Sequence, residues 1–319
     1  MTTGRVFTLN TGAVIPALGL GTWQSGPNEV YEAVLVALKA GYRHIDTAYV
    51  CTDDCRRRIF SKLIGKVYGN EAEVGEAIKD SGIPRKEIFL TTKLWGTYHT
   101  KPEVNLDISL KKLGVDYVDL YLIHWPSPLN PNGNHEFFPT LPDGTRDRLK
   151  DWDFIKTWEL VQKLPETGKA KAVGVSNFST VNLEKLLTAP TTKVVPAANQ
   201  VELHPYLPQQ KLLDYARSKG IHITAYSPLG STNAPLQQEP AVQDIAKRLG
   251  KSPTQVLISW AISRGTSVIP KSVTAERIIS NFDDFVLETK DIEAINAISK
   301  TTAKRLVNPN WGEVVFHDD

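Results

Sequence analysis

Cysteine is nearly absent from this chain, which has two in 319 residues, Cys51 and Cys55, both in one short stretch. Two neighbouring thiols exclude a disulfide framework and a four-cysteine zinc site, so a reducing compartment and no bound metal are expected. Long apolar runs are also missing. The hydrophobic stretches are strand-sized and MTTGRVFTLN has no signal-peptide core, so neither a membrane span nor secretion is expected. Charge of one sign is scarce: the formal net charge is +2, which gives no reason to expect nucleic acid or an anionic membrane as partner. Gly/Ser linkers and low-complexity tracts are lacking too, so residues 1–319 are expected to form a single domain. What remains is a cytoplasmic protein acting on small molecules.

What is present is alternation. FTLNTGAVIP reads as a β-hairpin around Thr11 and Gly12. After it come ALGLG, YRHID, EIFLTTK, VDLYLIH, AVGVSN, VVPAANQ, IHITAYS and SVIPKS, eight short apolar runs suited to a parallel sheet. Segments such as VYEAVLVALKAG and LLDYARSKG, between runs, repeat apolar residues at helical spacing. Eight strand–helix units predict an α/β protein of the (β/α)8 TIM-barrel class. A doubly wound sheet is the competing arrangement, but the leading hairpin and the lack of a G-x-G-x-x-G after it count against a Rossmann fold.

Most of the runs end in a polar or ionisable residue: Asp46, Lys93, His124, Ser176 with Asn177, Gln200, Ser227 and Lys271. In a barrel, all the C-terminal strand ends open on one face, so these dispersed residues would converge. Asp46, Lys93 and His124 would come from three adjacent strands, with the carboxylate and ammonium compensating each other's burial. A structural ion pair beside a satisfied core histidine is the alternative reading of the same three residues.

GYRHIDTAY with YGNE, YVDLYLIHWP and VIPKSV, joined in order by GVSNF, NQVELHPYL and TAYSPLGS, form a set of six ordered motifs. With them the chain resembles the aldo-keto reductase superfamily, whose three signatures the first three match, including its fungal-type NADP-dependent glycerol dehydrogenases and glyceraldehyde reductases. The resemblance implies reduction of aldehydes and ketones to alcohols with NADP(H), and a catalytic tetrad on Asp46, Tyr68, Lys93 and His124. A phenol with a pKa near ~10 is a poor acid at neutral pH unless a cation stabilises its anion, which is the role implied for Lys93.

For the cofactor, the resemblance implies Gly21, Thr22, Trp23 and Asp46 along one side, and Ser176, Asn177 and Gln200 on the carboxamide. It also implies Tyr226 against the nicotinamide ring and Ser227, Leu229 and Ser231 along the pyrophosphate. Lys271, Ser272 and Arg277, at a helix start, match an adenosine 2′-phosphate site, where two cations and a hydroxyl suit a dianion, and Asn281 lies near the adenine. Ser280 departs from a frequent glutamate of the family. Trp23, Trp95, His124 and Trp125 would wall the substrate pocket, helped by the loop after His124 and the tail from Lys304 to Asp319. Small hydroxy-aldehydes and polyols such as glyceraldehyde and glycerol are the expected substrates, and the expected state is a monomer. Aldose reduction of the xylose type is an alternative, as is a non-catalytic NADPH-binding subunit.

The first signature is interrupted. Asp46 and Tyr68 stand 22 positions apart, and removing residues 50–66 restores DTAYVYGNE, with a spacing of five. The segment holds both cysteines and five Lys/Arg against two Asp, a local charge of +3. Valine-cysteine at its start can be encoded GTA-TGT and Lys66 as AAG, so the segment reads as a translated intron or a gene-model error. A genuine insertion in the loop after the second barrel strand remains open, in which case Tyr49 competes with Tyr68 for the acid role.

Overall fold

The structure, a computed structural model, describes residues 4–26, 28–50, 69–231 and 235–317. Tyr68 and residues 51–66 of the interrupting segment lie outside the described residues.

The chain begins with the expected hairpin. β1 (Val6–Thr8) pairs antiparallel with β2 (Val14–Pro16), with Gly12 at φ 83° in the connecting turn. The hairpin turns Leu9 and Ile15 into a cluster with Phe89, Leu120, Leu122, Ala172, Ala197 and Ala198. These apolar contacts plug the N-terminal mouth of the barrel and leave the opposite mouth for chemistry.

The barrel strands follow: β3 (Leu20–Gly21), β4 (His44–Asp46), β5 (Phe89–Leu94), β6 (Val118–Ile123), β7 (Ala170–Ser176), β8 (Ala198–Glu202), β9 (His222–Tyr226) and β10 (Ser267–Val268). They pair in sequence order and every pairing is parallel, one strand for each of the eight expected runs. Parallel bridges Leu18 to Val268 and Gly21 to Lys271 join the last strand to the first, so the sheet closes. Gly21 permits that seam, because a Cβ there would stand 2.9 Å from the Ile269 carbonyl oxygen.

The helices follow from the same patterning. In α1 (Glu29–Ala40) the buried residues Val30, Ala33, Val34, Ala37 and Leu38 form one stripe, and Gly41 at φ 113° ends the helix. α2 (Glu71–Asp80) starts where the chain resumes, and α3 (Pro102–Leu113), α4 (Phe154–Val161), α5 (Thr180–Thr188) and α6 (Gln210–Ser218) follow their strands. α7 (Pro240–Leu249) and α8 (Pro253–Ser263) lie between β9 and β10, the latter opened by a capping box of Ser252 and Gln255. α9 (Ala275–Asn281) and α10 (Thr289–Thr301) complete the ring. Residues 124–153 form the expected long loop without a helix, and no described helix is long and apolar enough to cross a membrane.

Candidate active site

Strand register alone sets the predicted residues on one rim. Gly21 pairs with Asp46, Ser176 with Gln200, and Glu202 with Tyr226, while the amide of His124 bonds the Leu94 carbonyl one position past Lys93. The register staggers these ends round the rim: Asp46 pairs with Thr91, two residues before Lys93, and Lys93 pairs with Leu122, two before His124. The convergence expected from the sequence is present for Asp46, Lys93 and His124.

Lys93 and Asp46 are both buried and form an ion pair, Nζ to Oδ1, of 2.7 Å. Lys93 gives a second hydrogen bond of 2.8 Å to the Thr47 carbonyl, and Gln200 donates to the other oxygen of Asp46 at 2.7 Å. Both carboxylate oxygens are thus engaged, whereas the ammonium retains a third donor among the described residues. The pair's mutual attraction and added hydrogen bonds offset a desolvation cost that neither charge could bear alone.

His124 packs its ring edge against Trp95, with centroids 5.3 Å apart, and stacks beside Trp125. Burial and the nearby Lys93 cation hold its pKa well below the ordinary histidine value, so the ring is neutral at pH 7. Its Nδ1 is enclosed with no hydrogen-bond partner among the described residues, leaving tautomer choice to whatever meets the ring.

Tyr49 turns elsewhere. Its ring meets Tyr98 and Phe137 edge-on at 5.5 and 5.7 Å, and Lys112 of α3 lies 4.2 Å over its face. Burial, then the neighbouring Tyr98 hydroxyl, raises its pKa far above that of a free phenol. A residue so placed serves as packing for the loop that follows β6, and it is a poor proton donor.

Further round the rim, Asn177 sits at φ 64°, Ser227 at φ 50° and Ser231 at φ 59°, all in the left-handed region that non-glycine residues seldom adopt. Such strain concentrates at binding sites. Asn177 is held by its side chain: Tyr226 donates to Oδ1 at 2.7 Å, and Nδ2 donates to the His124 carbonyl at 2.9 Å. Ser176 Oγ donates to the Gln200 carbonyl. Thr22 Oγ1 donates to the Asp46 carbonyl, which ties Gly21, Thr22 and Trp23 to β4. Leu229 lies half-buried in the turn between the two strained serines.

Lys271 donates to the Gln24 carbonyl at 3.3 Å, and partial burial lowers its pKa. Ser272 is buried and caps its own turn by accepting from the Thr274 amide, while Arg277 is exposed. α9 runs only from Ala275 to Asn281, so at this site any attraction for an anion would come mostly from the two cations rather than from the helix end. Asn281 is buried at its far end, and Ser280 bonds back to the Arg277 carbonyl. An amide pair at one end, strained serines between and cations at the other suit the donor set that NADP(H) requires.

The aromatic wall is deeper than the sequence suggests. Trp95 and Trp125 are buried with Tyr49, Val50, Leu129, Phe137, Trp311 and Val315, while Trp23 is 37% exposed. Trp95 Nε1 donates to the Phe137 carbonyl at 2.7 Å, fastening the loop after β6 to the rim. Trp311 and Glu202 escaped the sequence analysis. The available signals were a carboxylate between Val201 and Leu203 at the end of a strand run and a tryptophan in a tail that also carries Leu306, Val307, Val314, Val315 and Phe316.

Asn70 was quoted in YGNE without a role. Its Nδ2 donates to the Thr22 carbonyl at 2.9 Å, joining the resumed chain to the end of β3.

A profile described as the Aldo/keto reductase family matches residues 17–300. Over 313 residues the chain is 56% identical to glycerol 2-dehydrogenase (NADP(+)) of Saccharomyces cerevisiae, spanning 96% of this chain and 95% of that protein. Aldehyde reductase YPR1 of the same yeast is 55% identical over 310 residues, 95% of this chain and 94% of the relative. Among solved structures, the aldose reductase from Schistosoma japonicum superposes with a TM-score of 0.82 at 37% identity, covering 95% of this chain and 94% of that one.

Proposed function

This chain belongs to the aldo/keto reductase family, and from that premise we propose that it uses NADPH to reduce small aldehydes and ketones to alcohols. Hydroxy-aldehydes and polyols of the glyceraldehyde and glycerol kind are its substrate class, a reading supported by the likeness to the yeast glycerol 2-dehydrogenase and aldehyde reductase. It acts as a cytoplasmic monomer. The observation that carries the proposal is the buried Lys93 ammonium, saturated by Asp46 and Thr47 on two donors and free to offer the third to a phenol.

NADPH, when bound, supplies the hydride to the carbonyl carbon. The carbonyl oxygen then gains negative charge, which calls for a proton and for fixed positive electrostatics beside it. Tyr68 is assigned as the proton donor. Lys93 stabilises the phenolate left behind, and Asp46, locked by Gln200, fixes where that ammonium points. His124, neutral in its apolar setting, orients the substrate oxygen. Lys271 and Arg277 hold the 2′-phosphate, with Ser272 beside them.

Residues 50–66 do not belong to this machinery. The working chain is the one in which Tyr68 follows valine directly, as DTAYVYGNE. Incubating the shortened, 302-residue chain with NADPH and DL-glyceraldehyde should consume NADPH absorbance, and NADP+ with glycerol should restore it. No turnover by the shortened chain on any small aldehyde overturns the proposal. Activity confined to the shortened chain assigns the loss in the long chain to the interruption.

A further inference from the structure

The C-terminal tail crosses the barrel mouth as a strap, and its root is tied to a single buried carboxylate. Glu202, the last residue of β8, has a fully buried side chain. Its Oε1 accepts from the Leu306 amide at 2.7 Å and its Oε2 from the Val307 amide at 2.8 Å. His204, also fully buried, is 2.7 Å away from Oε1 through Nε2. The Lys304 amide adds a bond of 3.0 Å to the Tyr206 carbonyl. The two oxygens of one side chain, 104 residues earlier in the chain, thus hold two successive amides of the strap just after it leaves α10.

Downstream of that root the strap carries aromatic residues onto the site. Trp311 packs tilted against Trp125 at 5.1 Å and edge-on against Trp95 at 6.1 Å, and Phe316 meets Trp125 edge-on at 6.1 Å. Two outer fastenings complete it. Glu313 accepts from Ser127 at 2.6 Å and pairs with Arg148 of the loop after β6, and Asn182 of α5 donates to the Val315 carbonyl at 3.0 Å.

We propose that Glu202 is a positioning residue that sets the aromatic wall of the substrate pocket by fixing the strap at its root. The inference rests on the functional reading above for its kinetic arm only. Two charge-assisted bonds to backbone amides are stronger than neutral ones and leave the strap little freedom at 306 and 307. A neutral carboxamide at this position offers one acceptor and presents an NH2 group to the other amide, so one of the two bonds is lost. Glu313 lies at the rim, with 26% side-chain exposure, and fastens the opposite end without a buried charge.

The test compares the wild-type chain with E202Q, E202A and the rim variant E313Q. Hydrogen exchange of the peptide spanning 304–317 reads the tether without requiring turnover. Exchange there should rise about tenfold in E202Q, the equivalent of one charge-assisted bond, and further in E202A, with the barrel strands unchanged. In steady-state kinetics, KM for the carbonyl substrate should rise about tenfold in E202Q while kcat and NADPH affinity stay within about twofold, since the strap touches substrate and not the reacting bond. E313Q should show the same KM pattern more weakly.

Unchanged exchange at 304–317 in E202Q overturns the tether. Loosened exchange with unchanged KM in both E202Q and E313Q overturns the positioning role. If E202A fails to fold, E202Q and E313Q still decide the question. If wild type binds NADPH but turns over no aldehyde, the functional reading falls while the exchange result stands by itself.

Discussion

The Gly69 α-carbon approaches the Tyr49 carbonyl so closely that a Cβ built on it would stand 2.3 Å from that oxygen. The two residues are 20 positions apart, yet with residues 50–66 removed they become the first and fourth residues of Tyr49-Val-Tyr68-Gly69. A four-residue turn demands such an approach between its first carbonyl and its fourth residue. The described flanks therefore already stand where the short loop would put them, and Asn70 pins the resumed chain to the end of β3.

The shortened chain should consequently fold at least as well as the long one, since closing a longer loop costs entropy, roughly 0.6 kcal/mol per doubling. Thermal unfolding of both forms checks this, and a lower Tm for the shortened form counts against excision. Sequencing the spliced transcript is the independent check. Gly69→Ala should be damaging in either form, because a methyl group there meets backbone rather than a side chain that can yield.

Breaking the buried ion pair should cost both fold and rate. Lys93→Met leaves Asp46 buried with Gln200 as its remaining side-chain partner, and Asp46→Asn leaves the buried Lys93 ammonium without its countercharge. Removing one member of such a pair costs ~3–5 kcal/mol, which urea denaturation will read. Turnover in the shortened chain should fall by ~10²–10⁴ for Lys93→Met and for Tyr68→Phe, the scale of positioned acid catalysis. Full retention of kcat in Lys93→Met would contradict the assigned role.

Selectivity for the phosphorylated cofactor should reside in Lys271 and Arg277. Substituting either by Met should weaken NADPH binding about tenfold or more, the scale of one charge-assisted hydrogen bond, and leave NADH binding nearly unchanged. Fluorescence titration with both nucleotides measures it. Equal loss for the two nucleotides would place these cations outside the phosphate site.

Acid should unfold the barrel through its interior histidines. Burial pulls the pKa of His44 and of His222 down to about 4 and that of His99 to about 3, from an ordinary 6.5. Above pH 6.5 these rings are neutral folded or unfolded, and stability does not depend on them. As pH falls from 6.5 towards 4, the unfolded chain takes up protons that the folded one refuses. Stability should therefore drop by up to ~1.4 kcal/mol per pH unit for each ring. Denaturant midpoints at pH 7.5, 6 and 5 test this, and a flat profile across that range would show that the histidines are accessible.

How much was legible in the sequence depended on whether the cause was local. A strand ends in a polar residue because the chain leaves an apolar layer there, so Asp46, Lys93, His124 and Gln200 announced themselves within a few residues of their own neighbours. The hairpin around Gly12 and the stripe from Val30 to Leu38 were equally local. Closure of the sheet was inferable only from counting eight units, and the closing contact, Gly21 on Lys271, spans most of the chain.

The sequence by itself determined the strand–helix alternation, the barrel it implies and the charged residues at its rim, because side-chain period and polarity act over a few residues. Only the tertiary structure decided that Tyr49 turns into the aromatic cluster with Lys112 over its ring, and that Asn70 reaches back to Thr22. It alone decided that Glu202 and Ser127 hold the strap across separations of 104 and 186 residues. Those contacts depend on how distant segments happen to be brought together on one rim, and no periodicity in the chain encodes them.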